Sequence, residues 1–376
     1  MLEKDLHTRL FILQPTPFCN LDCQYCYLPD RQNKSRMPLE IVRRSFEQLF
    51  SSGFVKDRVA IVWHCGEPLA AGISYFREAF DILKSTAKKL GLENSYTKGI
   101  QTNGLLINDN WCKLLKAENV SVGISIDGPN FIHDRQRVTR KNLTTHHAVI
   151  KALKKLKEYK IDVNIICVLT DFSLDYVHEI HDFFSKCGVD IVGFNMDEIE
   201  GTNQRSSFSH TVEISERFRK FMEELYEIVE KSNAFLVREF EYVKGLVLET
   251  RDLEHGEPRP FSIISVDYQG NFSTFSPELL TMKSTTYGNF QLGNVCNMSF
   301  LESFQSDKFQ RLNKDIQTGV ILCEKNCDYY SLCGGGSASN KYFEKGNFQC
   351  DETLYCRFMK KMIADVVLEK MEERLS

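Results

Sequence analysis

Three cysteines near the N-terminus have the residue type and the spacing to hold an iron–sulfur cluster. Cys19, Cys23 and Cys26 lie within eight residues. Three thiolates at this spacing can ligate three irons of a 4Fe–4S cubane and leave the fourth iron open for chemistry. The alternatives are three packed cysteines or a zinc knuckle, which needs a fourth ligand. No further Cys or His follows before His64, so the cluster is the favoured interpretation.

A second group of cysteines occupies the C-terminal region. Cys323, Cys327 and Cys333 follow one another closely, with Cys350 and Cys356 downstream. Four thiolates would close a second 4Fe–4S cluster that has no open iron and mainly carries electrons. We predict Cys356 as the fourth ligand and keep Cys350 as the alternative. A structural zinc ion bound by four cysteines is the competing interpretation of this group.

The composition indicates an ordinary soluble globular protein. The chain has 376 residues, of which 42% are hydrophobic and 26% charged, and its net charge of −4 predicts no nucleic-acid partner. No signal peptide is recognisable, and no apolar run is long enough to cross a bilayer, so no membrane association is expected. Thirteen cysteines without a secretory signal indicate metal ligands in a reducing compartment, and we predict a cytoplasmic protein.

The first 200 residues alternate short apolar strands with longer amphipathic helices. Six strands are predicted, at Arg9–Leu13, Val59–Trp63, Thr97–Gln101, Val120–Ile126, Asp162–Leu169 and Asp190–Asn195. This alternation is typical of an α/β fold with a parallel sheet, here a partial (β/α)6 barrel with its helices outside. Residues 201–255 are predicted to form a helical bridge. Residues 256–376 are predicted to form a Cys-rich domain with a hairpin of Ile263–Val266 and Phe272–Phe275.

Polar motifs follow the first four predicted strands. The first cysteine loop comes after the first strand, and His64–Pro68 comes after the second. Gln101–Gly104 ends the third strand, and Ser125–Pro129 ends the fourth. In parallel α/β folds the chemistry lies at the carboxyl ends of the strands, so we expect these motifs to meet at one mouth.

Several of these segments resemble the radical S-adenosylmethionine (SAM) enzymes, and within them the SPASM-domain peptide maturases of the cyclophane-forming GrrM/OscB type. The resemblance lies in Gln14–Arg31, Trp63–Leu69, Cys333–Gly336 with Asn340 and Lys341, and Glu352–Cys356 with Arg357. It implies a SAM-binding 4Fe–4S cluster, SAM itself and an auxiliary 4Fe–4S cluster. Reductive cleavage of SAM would yield a 5′-deoxyadenosyl radical, with electrons from an external flavodoxin- or ferredoxin-type donor.

The resemblance also implies which side chains contact SAM. Tyr25 would pack on the adenine, Gly66 and Glu67 would bind the ammonium group, and an arginine would pair with the carboxylate. The complete expected set is Tyr25, Gly66, Glu67, Asn103, Ser125, Arg137 and Arg140. An ordinary loop aromatic, a helix-capping glutamate and a solvated basic loop are the alternatives for its members. Cys65 stands where these enzymes usually have the first glycine of Gly-Gly-Glu-Pro.

The chain departs from the sulfatase-maturase pattern of two auxiliary clusters. Phe275, after the hairpin glycine Gly270, and Ser337, after Cys333, stand where those enzymes have cysteines. We therefore expect one auxiliary cluster and about eight irons per chain, rather than twelve.

The substrate that the resemblance implies is a ribosomally synthesised precursor peptide. The radical would remove a Cβ hydrogen from one residue, and the resulting carbon radical would add to a nearby aromatic ring, giving a cyclophane. The auxiliary cluster is the expected electron acceptor, and Glu278 or Asp127 would take the proton. No separate leader-binding domain is predicted before residue 9. A thioether-forming maturase, a sulfatase maturase and a non-catalytic zinc or iron–sulfur protein remain as alternatives.

Overall fold

Six parallel strands form the centre of the molecule. The structure is a computed structural model, and it describes residues 5–248 and 256–375. The strands pair in sequential order and all run parallel. They are β1 (Leu10–Leu13), β2 (Val59–Trp63), β3 (Tyr96–Thr102), β4 (Ser121–Ser125), β5 (Val163–Leu169) and β6 (Ile191–Met196). The α/β fold predicted from the sequence is thereby confirmed.

Helices connect successive strands and cover the outside of the sheet. In the first part of the chain they are α1 (Leu39–Ser51), α2 (Ile73–Lys89), α3 (Asp109–Ala117), α4 (Asn130–Gln136), α5 (His146–Glu158) and α6 (Val177–Cys187). Their buried faces follow the helical period: α1 buries Val42, Phe46 and Leu49. On β2, the ring of Trp63 meets Phe46 edge-on at 6.3 Å and Phe76 at 5.1 Å. Such aromatic contacts, each worth about 1 kcal/mol beyond burial, fix α1 and α2 on the sheet.

The remaining helices belong to the bridge and the C-terminal region. They are α7 (Val212–Ser232), α8 (Arg238–Leu248), α9 (Pro277–Leu280), α10 (Phe300–Gln305), α11 (Asp307–Asn326), α12 (Tyr330–Cys333), α13 (Ala338–Lys345) and α14 (Ile363–Leu375), with a π-helical turn at Cys356–Met362 before α14. A short strand, β7 (Leu236–Val237), extends the sheet beyond β6. No helix in the described ranges has both the length and the apolar character to span a membrane.

The predicted hairpin joins the central sheet directly. Its strands β8 (Ile263–Val266) and β9 (Asn271–Thr274) pair antiparallel, and β8 also pairs parallel with β1. The short pair β10 (Lys283–Ser284) and β11 (Gly288–Asn289) stands apart, while β12 (Gly293–Asn294) pairs with β9. The described strands thus give a ten-stranded sheet and a separate two-stranded one. The Cys-rich region is consequently anchored along the edge of the barrel.

Candidate active site

The first cysteine loop lies between β1 and α1 and is held by backbone contacts. The backbone N–H of Cys19 donates to the carbonyl of Arg31 at 3.0 Å. The guanidinium of Arg140 donates to the carbonyl of Cys19 at 3.1 Å and also to that of Arg31. The sequence suggested Arg140 as a partner of the SAM carboxylate. In the structure its guanidinium instead binds backbone carbonyls at both ends of the cluster loop.

The turn after β2 packs directly on the residues that lead into the cysteine loop. Gly66 has a φ of +77°, and a Cβ there would lie 2.3 Å from the carbonyl oxygen of Thr16 and 2.9 Å from that of Phe18. Glycine is therefore required both by backbone conformation and by space. The preceding Cys65 also has a positive φ, of 68°, which explains why glycine is usual there. Its thiol lies 3.4 Å from the hydroxyl of Tyr27.

Glu67 is fully buried, and protein donors surround its carboxylate. It accepts hydrogen bonds from the hydroxyl of Thr102 at 2.7 Å, the backbone N–H of Asn103 at 2.9 Å and that of Leu69 at 3.0 Å. Burial raises the pKa of Glu67, and these three bonds oppose that shift. Its carboxylate joins the ends of β2 and β3 and caps the short 3₁₀ turn Pro68–Ala71. The helix-capping role, which was the alternative to SAM binding for Glu67, is thus seen in the structure.

Two small polar side chains lie at neighbouring strand ends, as expected. The amide of Asn103 donates to the side-chain oxygen of Asn20 at 2.7 Å and lies 3.7 Å from the sulfur of Cys19. The hydroxyl of Ser125 accepts from the amide of Gln101 at 2.9 Å. These bonds tie the ends of β3 and β4 to the cluster loop and to each other.

Three residues predicted for separate tasks form one buried network. The carboxylate of Asp127 accepts from the hydroxyl of Tyr25 and from Nε of Arg137, the latter at 3.0 Å. Its other oxygen accepts from the backbone N–H of Val168 at 3.0 Å. The guanidinium carbon of Arg137 lies 5.3 Å from the centre of the Tyr25 ring. Both oxygens of Asp127 are therefore engaged by protein donors, which makes it a positioning group for Tyr25 and Arg137.

A cavity of about 250 Å³ brings the predicted residues together at the mouth of the barrel. Of the residues predicted to bind the cluster or SAM, it is lined by Cys19, Cys23, Cys26, Tyr25, Gly66, Glu67, Asn103, Ser125 and Arg137. Glu278 lines it as well, from the short helix α9. The predicted residues outside the lining, Asp127 and Arg140, are bonded to residues that belong to it.

Two further glutamates that sequence reasoning missed line the same cavity. Glu198 and Glu200 follow β6, and the amide of Asn340 donates to both carboxylates. Burial raises the pKa of Glu278 to about 7 and that of Glu198 to about 8. Burial and the neighbouring Glu198 and Glu278 likewise raise the pKa of Glu200. The sequence analysis searched for polar residues after the first four strands only. The same search after the sixth strand would have found Glu198 and Glu200.

The second cysteine group surrounds a small cavity of its own. Cys323, Cys327, Cys333 and Cys356 line it, whereas Cys350 is absent from its described lining and contributes a carbonyl 3.9 Å from the Cys323 sulfur. Within residues 5–248 and 256–375, no three His, Cys, Asp or Glu side chains converge closely enough to hold a single metal ion. Four thiols line this one cavity, and four is the number of cysteine ligands that a closed 4Fe–4S cluster takes.

At the positions where a further auxiliary cluster would need ligands, the chain has packed or hydrogen-bonded residues. Phe275 is buried, has a φ of +74° and stacks on Phe309 with ring centres 6.5 Å apart. The hydroxyl of Ser337 hydrogen-bonds to that of Ser339 at 2.8 Å. Both side chains are thus part of the local packing.

Comparisons with known proteins agree with this geometry. A family model described as the radical SAM superfamily matches residues 13–184. An uncharacterised protein of Synechocystis is 44% identical over 371 residues, which are 98% of this chain and 93% of that protein. A serine-type anaerobic sulfatase-maturating enzyme of Bacteroides thetaiotaomicron is 23% identical, covering 91% of this chain and 89% of its own.

A solved structure extends the agreement to the fold of the whole chain. The structure of native anSMEcpe with bound AdoMet and a peptide has a TM-score of 0.77 and 21% identity, and the match covers 98% of both chains. SAM and 4Fe–4S clusters are the cofactors of this family, and in this chain two groups of cysteines each line a cavity. From its barrel, its cluster loop and its relatives, this chain belongs to the radical SAM superfamily.

Proposed function

We propose that this protein is a peptide maturase that joins the Cβ of one residue to the aromatic ring of another in a ribosomally synthesised precursor. One observation carries the proposal. The thiols that would hold the SAM-binding cluster line the same cavity as three glutamates with raised pKa values, Glu198, Glu200 and Glu278. Hydrogen abstraction from a side chain and removal of a proton from a ring can therefore take place in the same cavity.

The cysteine loop and the residues that hold it in place line one part of this cavity. When bound, the cluster and SAM supply a 5′-deoxyadenosyl radical that abstracts hydrogen. Cys19, Cys23 and Cys26 would hold the cluster, and Gly66 keeps the neighbouring turn close against the loop. Arg137, fixed by Asp127, lies at the cavity wall, and a planar guanidinium is suited to bind a carboxylate there.

Glu278, which lines the same cavity, is the favoured proton acceptor. A base is most effective when its pKa lies near the working pH, and burial raises the pKa of Glu278 to about 7. Asp127, the other candidate, is paired with Arg137 and accepts hydrogen bonds at both oxygens. Protein donors therefore already occupy both oxygens of Asp127. We therefore assign the proton to Glu278, with Glu198 and Glu200 beside it.

A neighbouring cavity of about 340 Å³ offers space for more of a peptide. It is lined by Tyr242 and Val243 of α8 and by Tyr355 and Met359 of the C-terminal region. Asn195, at the end of β6, lines both this cavity and the larger site. Two side chains of one peptide must be held at once for a crosslink, and adjoining cavities suit that requirement.

Formylglycine formation on a sulfatase is a second candidate function. It is favoured by the similarity to sulfatase-maturating enzymes, which extends over most of the chain. The buried Phe275 disfavours it, because a phenylalanine cannot ligate the first of two auxiliary clusters. Iron analysis separates the two: crosslinking predicts about eight irons per chain, and the sulfatase-maturase pattern about twelve.

Coexpression with the short peptides encoded beside the gene tests the proposal. The peptide should lose two hydrogen atoms per ring, and a tryptic fragment without cysteine should retain that loss, which distinguishes a carbon–carbon bond from a thioether. Glu278→Gln should lower the yield of crosslink while leaving 5′-deoxyadenosine formation in place. An unmodified peptide beside active SAM cleavage would contradict the proposal, and oxidation of a sulfatase-derived peptide to formylglycine would establish the second candidate.

A further inference from the structure

A buried lysine contacts one of the auxiliary-site thiols. The side chain of Lys341, on α13, lines the small cavity of the second cysteine group and is almost fully buried. Its ammonium donates to the carbonyl of Gly319 at 2.9 Å and to the sulfur of Cys323 at 3.3 Å. It therefore reaches a sulfur atom that we assign to the auxiliary cluster.

Lys341 differs from the other lysines at this cavity in its partners. Lys361 is bonded to Glu352 at 2.8 Å, and the charge of Glu257 acts on Lys360. For Lys341, no carboxylate in the described part of the chain lies within salt-bridge distance. A buried ammonium without a negative partner is strongly unfavourable. A cysteinate sulfur that carries part of the charge of a cluster meets this need.

A glycine in the neighbouring helix α11 makes space for the ammonium of Lys341. Gly319, within α11, lies so close to α13 and the segment after it that a Cβ there would be 1.9 Å from the carbonyl oxygen of Phe348 and 3.1 Å from Nζ of Lys341. No other residue type fits at position 319 without moving both neighbours. Because residue 319 has no side chain, the ammonium of Lys341 can lie between the carbonyl of Gly319 and the sulfur of Cys323.

We propose that Lys341 raises the reduction potential of the auxiliary 4Fe–4S cluster and so adapts it to accept electrons. The potential of such a cluster depends on net charge, hydrogen bonds to its sulfur atoms and solvent exposure. Uptake of one electron makes the cluster more negative and breaks no bond, so a nearby cation with an N–H···S contact stabilises the reduced form. The inference rests on the proposed function, in which the aromatic ring gives up one electron as well as a proton.

A redox titration of the auxiliary cluster alone tests this role. The full-length chain with Cys19→Ala, Cys23→Ala and Cys26→Ala would retain only the second site, and dithionite supplies the electrons. Lys341→Met in this background should lower the midpoint potential, followed by electron paramagnetic resonance. We expect at least a tenfold change in the one-electron equilibrium, which corresponds to about 59 mV. Lys345→Met is the control, since Lys345 is exposed one turn along the same helix.

The outcomes separate this inference from the crosslinking proposal, because neither SAM nor peptide is present. An unchanged midpoint in Lys341→Met with about four irons retained would overturn it. If that variant loses iron, Lys341→Gln keeps an N–H donor without the charge. Its midpoint should also fall, and an unchanged value would equally overturn the inference. A parent protein that holds zinc and no iron would refute the cluster assignment. If the midpoint falls in this titration while the peptide in the coexpression assay stays unmodified, the role of Lys341 is supported and the crosslinking proposal is contradicted.

Discussion

The two cysteine sites differ in how much space and which charges surround them. The first three cysteines lie on one loop beside a cavity of about 250 Å³, and the second four surround a cavity of about 20 Å³. Only the first leaves room for an organic cofactor and part of a substrate. A cluster with an open iron requires such room, whereas a fully ligated cluster does not. We therefore propose that the chemistry takes place at the first site and that the second site transfers electrons.

Cations are arranged differently at the two sites. At the first, Arg137 is paired with Asp127, and Arg140 is bonded to backbone carbonyls. At the second, Lys341 donates directly to the sulfur of Cys323. Burial raises the pKa of the Cys323 thiol, and Lys341 opposes that shift. A cation on a ligand sulfur acts on the cluster itself, which is useful where the cluster receives electrons.

Removing the first three cysteines should have the largest effect. The variant with Cys19, Cys23 and Cys26 all changed to alanine should form no 5′-deoxyadenosine, because no open iron remains to bind SAM. Iron should fall from about eight to about four per chain, measured with sulfide on anaerobically reconstituted protein. Residual SAM cleavage in this variant would contradict the claim that SAM is cleaved at the first site alone.

Changing the second site should remove iron and leave SAM cleavage. Cys356→Ala is expected to lose the auxiliary cluster, since the thiol of Cys356 lines the cavity. Cys350→Ala is the matched control and should keep full iron content. The measurement is iron per chain together with 5′-deoxyadenosine formation. The reverse pattern, with iron lost only from Cys350→Ala, would make Cys350 the fourth ligand.

Breaking the buried ion pair at the first site should lower global stability. Arg137→Met leaves the carboxylate of Asp127 buried without its cation, which should reduce the free energy of unfolding by about 3–5 kcal/mol. Lys155→Met, which removes a surface pair with the exposed Asp109, is the control and should cost at most about 1 kcal/mol. Urea titrations followed by circular dichroism compare the two. Equal midpoints for both variants would show that the buried pair is not a stabilising element.

The raised pKa of Glu278 predicts a smaller, pH-dependent effect on the free energy of unfolding. A carboxyl group whose pKa is higher in the folded than in the unfolded state favours folding at low pH. Its contribution is lost as the pH rises. For Glu278 this window runs from its ordinary value of 4.5 to about 7. One proton contributes a slope of about 1.4 kcal/mol per pH unit. Glu278→Gln should reduce that slope in urea titrations, and Glu216→Gln, on the exposed side of α7, should not. An identical slope in both variants would show that Glu278 titrates normally.

The barrel was readable from the sequence because its strands are short apolar runs between amphipathic helices. Strands buried on both faces give such runs, and β2, for example, has the predicted bounds Val59–Trp63. The parallel pairing of β8 with β1 was not readable, since it joins segments about 250 residues apart and neither carries a local signal for its partner. The hairpin itself was predicted from its turn.

Single residues of the site were predictable where a motif marks them, and their partners were not. The sequence indicated Tyr25, Asp127 and Arg137 individually, yet only folding shows that they bond to one another. Lys341 belonged to a motif that carried the resemblance, yet its contact with Cys323 was not predictable, because its burial depends on the close approach of α11 at Gly319. Side chains that act through contacts between distant elements are determined by packing, which a spacing pattern does not encode.

The central claim is that a radical formed at the first site crosslinks a peptide only when the second site is intact. The most direct test incubates the reconstituted protein and its Cys356→Ala variant with SAM, dithionite and the precursor peptide, and measures 5′-deoxyadenosine and crosslinked peptide together. The account predicts both products from the parent protein, and 5′-deoxyadenosine without crosslink from the variant. Full crosslinking by a variant that has lost its auxiliary iron would contradict it.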